Sequence, residues 1–471
     1  MPTEKPSGPP AIPPTEKTAK PEAQVAKPKV GDISVSGYFR GGFGATIPRK
    51  GPDTVDQTTG EKVPGPHVGG RMTCFSLANP AGLVSKYRLG NECEVWSETH
   101  FKMVTYAGSD GVVANLHFMP TVYIPTTYIG YSPTGLTSAP DQQMTSTGAT
   151  VSFPNLYLDI ENIPWLGGGT AWAGTRYYKR ESVYISDFFY WNPSGVGAGV
   201  EDIHLGKDLR LSVAVFATDG EPTSAGANAP ALPSQIDFGF RNDLQLRGIK
   251  LWKTGEFRVG LQGIVDYSDH KDATGKSVTH SGWGGTLQFV QELLGGDNKL
   301  TLQYGRAGGT GFGTLARFYY PDFSVYHGAA ELRFRVVDVV TVQPVEWLGG
   351  QAAFVYQHDD LGTKNSQSDW ISAGARVAVA PLKYFKVLGE VGYDHVTKEN
   401  GTDPMQLTKF TIAPALTTDR GFMARPEIRL FYTYAMWNDA ARNLRVDSGN
   451  IYLTTNFLSG QTFGLQGETW F

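Results

Sequence analysis

The sequence predicts an all-β protein, a transmembrane antiparallel β-barrel, and three observations carry that prediction. Apolar and polar residues alternate with a period of two in segments spread between Ile33 and Phe471. The connections between those segments are short in some places and long and polar in others. Aromatic residues make up 12% of the chain, charged residues only 18%, and glycines number 57. A composition of this kind is typical of many strands and turns.

The alternation is plain in the first segment. Val35 and Phe39 share one parity with other apolar residues, whereas Ser36 and Arg40 fall on the opposite parity. Such a period predicts strands that have one apolar and one polar face. The same pattern recurs in residues 87–101, 425–437 and 461–471.

The connections favour a membrane barrel over a soluble sheet. Residues 294–298 form a tight turn cluster, whereas residues 48–70 and 137–150 are long and polar. Tight turns at one end and long loops at the other are the layout of an outer-membrane barrel. At about 24 residues for a strand and its connection, the barrel should hold roughly 16 to 18 strands. The alternative is a β-sandwich lectin or carbohydrate-active enzyme, but such domains rarely exceed about 250 residues.

Other classes of protein find little support. The chain has no apolar run of the length that a transmembrane helix needs. A net charge of −4 argues against a nucleic-acid partner. Neither a phosphate-binding loop nor a nucleophile elbow occurs, and lining of a lumen explains the carboxylate pair Glu92 and Glu94 without catalysis. We therefore expect no enzymatic activity, no cofactor and no metal.

The amino-terminal segment differs from the rest of the chain. Residues 1–32 alternate Pro with Lys, Glu and Ala, and the first aromatic residue is Tyr38. Residues 1–30 have neither the basic start nor the apolar core of a secretory signal. We divide the chain into a flexible tail, residues 1–32, and a barrel, residues 33–471. The tail is either a periplasmic spacer that contacts the cell wall or plain disorder.

Cys74 and Cys93 are the only cysteines, and they stand 19 positions apart. No further cysteine or clustered histidine accompanies them, which weighs against zinc. One disulfide that closes a loop is favoured over two free thiols, and it would imply an oxidising compartment.

Three large aromatic rings fall on the polar parity of their strands. Tyr38 is in phase with Arg40, Trp96 is in phase with Glu98, and Trp470 lies near the carboxy terminus. Burial in a core does not explain rings on a face that lines a lumen. A stacking surface for the apolar face of a sugar does explain them, with neighbouring charges serving the hydroxyl groups. The alternatives are that each ring packs beneath an inward-folded loop or belongs to the interfacial girdle.

Six blocks of sequence resemble the maltoporin family of sugar-specific porins, and together they span nearly all of residues 33–471. The blocks are SKYRLGNECE at 85–94, WAGTRYYKR at 172–180, DFFYWNPSGVGAGVEDI at 187–203, EVGYDHV at 390–396, ARPEIRLFYTYAMW at 424–437 and GETWF at 467–471.

The resemblance implies an 18-stranded barrel in the outer membrane of a Gram-negative bacterium, in contact with lipid and assembled as a homotrimer. Its third external loop would fold inward and narrow the pore. The function implied is facilitated diffusion of maltodextrins or related oligosaccharides, with sucrose-like sugars included. A general diffusion porin on the same scaffold, without sugar affinity, is the alternative.

The resemblance also implies roles for individual residues. The stacking track falls on Tyr38, Trp96 and Trp470, and the constriction falls on Phe189, where the family normally has tyrosine. Cys74 and Cys93 match the family disulfide. The polar track falls on Arg40, Arg88, Glu98, Arg180 and Asp187. The chain departs from the family pattern at Ser182, Tyr184, Gly285 and Met423. The middle of the predicted track therefore lacks residues that the family has there, which weighs against binding of long α-glucans.

Overall fold

A computed structural model gives the structure of the protein. It describes residues 28–50, 53–55, 61–63, 67–68, 70, 72–78, 84–125, 150–219, 238–266, 270–271, 277–278, 281–312, 330–362, 364–441 and 457–471. The predicted tail therefore lies outside the described residues up to residue 27. Residues 28–32, which precede the first strand, are exposed.

Eighteen strands form one antiparallel sheet. In chain order they are β1 Ile33–Thr46, β2 Glu94–Ala107, β3 Val113–Pro125, β4 Thr150–Ile163, β5 Gly169–Arg176, β6 Gly195–His204, β7 Arg210–Asp219, β8 Phe238–Trp252, β9 Gly255–Asp266, β10 Gly282–Leu293, β11 Gly296–Arg306, β12 Leu332–Val345, β13 Leu348–Asp360, β14 Gln367–Leu382, β15 Phe385–Lys398, β16 Met405–Thr417, β17 Glu427–Trp437 and β18 Ser459–Trp470.

The sheet closes on itself. β1 pairs with β2 on one side and with β18 on the other, where Tyr38 stands opposite Trp470. Closure leaves no edge strand with unpaired backbone groups, which is what a sheet in a bilayer requires. The predicted all-β barrel is confirmed, and its 18 strands lie at the upper end of the expected range.

Short turns and long loops lie at opposite ends of the barrel. Residues 253–254, 294–295, 346–347 and 383–384 are two-residue turns at the end where β1 begins and β18 finishes. The other end carries long connections, among them residues 47–93 and 177–194. Among the described residues, no helix is long and apolar enough to cross a membrane.

The two faces of each strand differ as the alternation predicts. On β17, Ile428 and Leu430 are exposed on the outer wall, whereas Glu427 and Arg429 are buried inside. On β1, Phe39 is exposed outside and Arg40 is buried inside. The outer wall is thus apolar, and the interior contains ion pairs as well as aromatic rings. The lumen, and not a conventional apolar core, is where function has to be sought.

Candidate functional site

The connection between β5 and β6, residues 177–194, folds into the barrel, and we call it the inward loop. Within it, Glu181–Val183 pairs with Phe188–Trp191 around a single 3-10 turn, Tyr184–Ser186. The turn ends at Asp187, whose φ of 54° is left-handed, a conformation that Asp tolerates better than most residues. This loop interrupts the strand alternation, as its sequence indicates.

The inward loop is fixed to the far wall by aromatic and carbonyl contacts. The Phe188 ring meets Trp370 of β14 edge-on, with the centroids 5.3 Å apart. The carbonyl of Tyr190 accepts hydrogen bonds from Gln303 at 2.9 Å and from Arg335 at 3.2 Å. These contacts hold the loop across the lumen.

A second segment enters the barrel beside the inward loop. It consists of residues 86–93, and we call it the tethered segment because Cys93 forms a disulfide with Cys74. The predicted disulfide is confirmed. The Leu89 amide donates a hydrogen bond to Glu390 at 2.9 Å, and Lys409 donates one to the Leu89 carbonyl at 3.1 Å. The segment is therefore anchored to the wall at β15 and β16.

Glycines on the wall make room for the tethered segment. A Cβ atom added to Gly392 would lie 1.9 Å from the ring of Tyr87, and one added to Gly374 would lie 2.3 Å from it. The Tyr87 hydroxyl is 3.1 Å from the hydroxyl of Ser372. Only residues without a side chain allow this ring to rest directly on the strands.

Five of the predicted track and constriction positions belong to one buried ion-pair cluster or to its edge. Arg40 pairs with Glu92 at 3.0 Å and with Asp187 at 3.3 Å. Arg88 pairs with Glu92 at 2.6 Å. The cluster joins the tethered segment and the inward loop to β1. It also holds Tyr38, whose hydroxyl donates to Glu468 at 2.8 Å and accepts from Arg88 at 2.5 Å, and Trp96, over which Arg40 lies at 5.9 Å.

The remaining predicted positions on β2 and the inward loop meet around Tyr177. The Arg180 guanidinium lies 3.4 Å from the centroid of the Tyr177 ring and 5.0 Å from that of Phe189. The Tyr177 hydroxyl donates a hydrogen bond to Glu98 at 3.2 Å. Arg180, Phe189 and Glu98 are thus brought together where the inward loop leaves β5.

Trp470 is the most accessible of the three predicted stacking rings. It is half-buried, with Arg425 4.7 Å from its ring and Tyr184 edge-on at 6.2 Å. Tyr38 and Trp96 keep only 2% and 4% of their surface exposed. The expectation that these two rings stand open to water needs correction, because Arg88 of the tethered segment contacts Tyr38, and Trp96 packs beside Arg40 and Tyr123. Alternation predicts the face on which a ring lies but not what folds over it.

The strand patterns also missed residues that complete the site. Glu468 accepts hydrogen bonds from Tyr184 at 2.8 Å and from Arg425 at 2.8 and 3.0 Å, and it pairs with Arg429 at 3.2 Å. The signal was present, since Glu468 lies on the inner parity of β18. What the sequence could not show was the register of β17 with β18, which places Glu427 opposite Glu468.

A closed 18-stranded barrel with an apolar outer wall, ion pairs inside and a loop across its lumen defines the class of outer-membrane porins. The chain matches the family model described as LamB porin over residues 33–471. It belongs to that family and resides in the outer membrane, as the resemblance to maltoporins implies.

Solved structures of other outer-membrane proteins are also similar. Acinetobacter baumannii OccAB1 is 13% identical, with a TM-score of 0.47, and the match covers 94% of this chain and 97% of that one. Pseudomonas aeruginosa OpdK, solved with vanillate, is 9% identical, with a TM-score of 0.46 and coverage of 93% and 99%. Vibrio cholerae OmpT, in a trimer form, is 8% identical, with a TM-score of 0.35 and coverage of 94% and 100%.

Proposed function

We propose that this porin binds sugars weakly as they pass and so favours maltodextrins or related oligosaccharides, including sucrose-sized ones. The observation that carries the proposal is the group formed by Trp470, Tyr184 and Arg425, because it sets a half-buried indole beside a phenol and a guanidinium. A ring face binds the C–H side of a pyranose, and the polar groups serve its hydroxyls. Stacking of about 1 kcal/mol draws a sugar in and still releases it.

A narrow passage beside Phe189 is the second part of this proposal. Phe189 and Arg180 contact each other and lie on the inward loop, so they limit what passes. A phenyl ring keeps a stacking face but offers no hydroxyl to a sugar. Selection by this residue should therefore rest on shape more than on hydrogen bonding. We further propose that the protein works as a homotrimer and that the tail, residues 1–32, reaches toward the cell wall.

The experiment is sugar block of single channels in a planar lipid bilayer. Maltotriose and sucrose should interrupt the ion current of the wild-type protein. Trp470→Ala should weaken that block about fivefold, in line with the loss of about 1 kcal/mol of stacking. Trp165→Ala is the matched control, because Trp165 is 81% exposed and lies in the turn after β4, outside the strands of the barrel. Equal block in both variants would remove Trp470 from the sugar path.

A specific observation favours a second candidate, a general diffusion porin. Tyr38 and Trp96 are buried, so two of the three stacking rings are withdrawn from the solution in the lumen. A pore of that kind would conduct in proportion to salt concentration, and no sugar of the panel would block it. The same bilayer recordings therefore distinguish the two candidates.

A further inference from the structure

Four basic residues lie near one another on the inner wall, outside the predicted sugar track. We call Arg210, Arg247, Arg258 and Lys299 the basic patch. They come from β7, β8, β9 and β11, and each lies within the first or last part of its strand at the short-turn end. Each is partly exposed. The inner wall at this point is therefore accessible and positively charged.

One carboxylate of the inward loop sits in the middle of the patch. Glu181 is 3.0 Å from Arg258, 3.0 Å from Lys299 and 3.5 Å from Arg247. Burial would raise the pKa of the Glu181 carboxyl, but Lys299, Arg247 and Arg258 outweigh that effect and hold the pKa at about 2. Cations from three strands thus stabilise the ionised carboxylate of Glu181.

The cations exceed the carboxylates that face them. Glu256 pairs with Arg258 at 2.6 Å and with Lys250 at 3.5 Å, and Asp297 is 3.9 Å from Lys299. With Glu181 and with Asp243, which interacts electrostatically with Arg247, these make four carboxylates against the four residues of the basic patch and Lys250. The patch retains a positive charge after its neighbours are counted.

Arg210 shows where that charge is uncompensated. It stands directly opposite Arg247 in the pairing of β7 with β8. Like charges in this arrangement destabilise a sheet unless something neutralises them. The buried Nη1 atom of Arg210 has no hydrogen-bond partner within the described part of the chain. Anchoring of the inward loop alone therefore does not explain why an arginine stands at position 210.

We propose that the basic patch is a subsite for the carboxylate of an acidic sugar, which Glu181 partly occupies in the resting pore. The proposal rests on the proposed function, because it names the charge of the sugar that the same lumen carries. Arginine and lysine donate charge-assisted hydrogen bonds to carboxylates. A permeating sugar acid would compete with Glu181 for those donors, and the partial exposure of the cations keeps the exchange open. Anion preference follows from the retained positive charge.

The test compares glucuronate with glucose as blockers of the full-length protein in planar bilayers. Wild-type channels should be blocked by glucuronate at lower concentration than by glucose. Arg258→Gln and Lys299→Gln should each weaken glucuronate block about tenfold. Glu181→Gln removes the internal competitor and should strengthen glucuronate block at least about fivefold relative to glucose block. Arg306→Gln is the matched control, because Arg306 is an exposed residue at the other end of β11, on the outer wall.

Three outcomes would overturn the proposal. If Glu181→Gln raises conductance and changes the block by both sugars equally, the ion pairs only anchor the loop. If glucuronate and glucose block equally in the wild type and in all variants, the patch does not bind anions. Block by maltotriose or sucrose without block by glucuronate would sink the subsite and leave the proposed function standing. Block by glucuronate without block by maltotriose or sucrose would contradict the proposed function and leave the subsite standing.

Discussion

The backbone amide of Arg88 donates a hydrogen bond of 2.9 Å to the carbonyl of Ile185, which joins the tethered segment to the inward loop. The Lys86 amide makes a parallel bond of 3.1 Å to the Ser186 carbonyl. Two parts of the chain that enter the barrel from different loops thus support each other. A change in the tethered segment is expected to reach the inward loop and with it the width of the pore.

Loss of the disulfide should make the pore wider and noisier. The double substitution Cys74→Ser with Cys93→Ser removes a cross-link between residues 19 positions apart, which contributes about 3 kcal/mol by loop closure. Released from Cys74, the tethered segment should support the inward loop less firmly. Single-channel recording should show a larger mean conductance with more frequent transitions. A quiet channel of wild-type conductance would mean that the contacts of Tyr87 and Leu89 suffice.

A methyl group at Gly392 should displace the tethered segment. Gly392→Ala places a Cβ atom 1.9 Å from the Tyr87 ring, so the ring has to move. Conductance should change in the same direction as in the cysteine variant. Gly389→Ala on the same strand is the control, since a Cβ atom there meets nothing within 4 Å. Should both variants conduct alike, Tyr87 does not position the segment.

Removal of the Glu390 charge should destabilise the barrel. Glu390 pairs with Arg376 at 2.6 Å and with Lys409 at 3.0 Å, and all three side chains are buried. Glu390→Gln leaves two buried cations without their counter-charge, so the free energy of unfolding should fall by about 3–5 kcal/mol. Urea unfolding in detergent measures it. Glu331→Gln, whose pair with Arg306 is exposed, should change it by less than about 0.5 kcal/mol.

Truncation of Phe189 should widen the pore if Phe189 forms the proposed constriction. Phe189→Ala removes the ring that Arg180 covers, and the ion conductance should rise while sugar block weakens. Phe43→Ala, on the exposed outer wall, should leave both quantities unchanged. Unchanged conductance and block in Phe189→Ala would place the constriction at another residue.

Deletion of residues 1–32 should leave a folded, trimeric and conducting barrel. The segment lacks aromatic residues and strand alternation, and β1 begins at Ile33. Heat-modified electrophoretic mobility and bilayer insertion measure folding, and cross-linking measures the oligomeric state. A variant that folds but stays monomeric would assign the tail a part in assembly.

The sequence predicted which strand residues face the lumen better than it predicted which segments fold into the lumen. Alternation fixes which residues face inward, so Tyr38, Arg40 and Trp96 were placed on the correct face of their strands. It carries no information on the path of a loop, and therefore it left the burial of Tyr38 and Trp96 open as one of several alternatives. The patch around Arg247 was missed for a related reason. Its members are distant in sequence and become neighbours only through the register of four strands.

The pairing of Tyr38 with Trp470 has a consequence for how the protein is made. Because β1 pairs directly with β18, the barrel cannot close until β18 has been synthesised and translocated. Until then, both β1 and the most recently added strand offer unsatisfied backbone groups, which invite pairing with foreign chains. A periplasmic intermediate of this protein should therefore need a chaperone or insertion machinery that shields both ends at once.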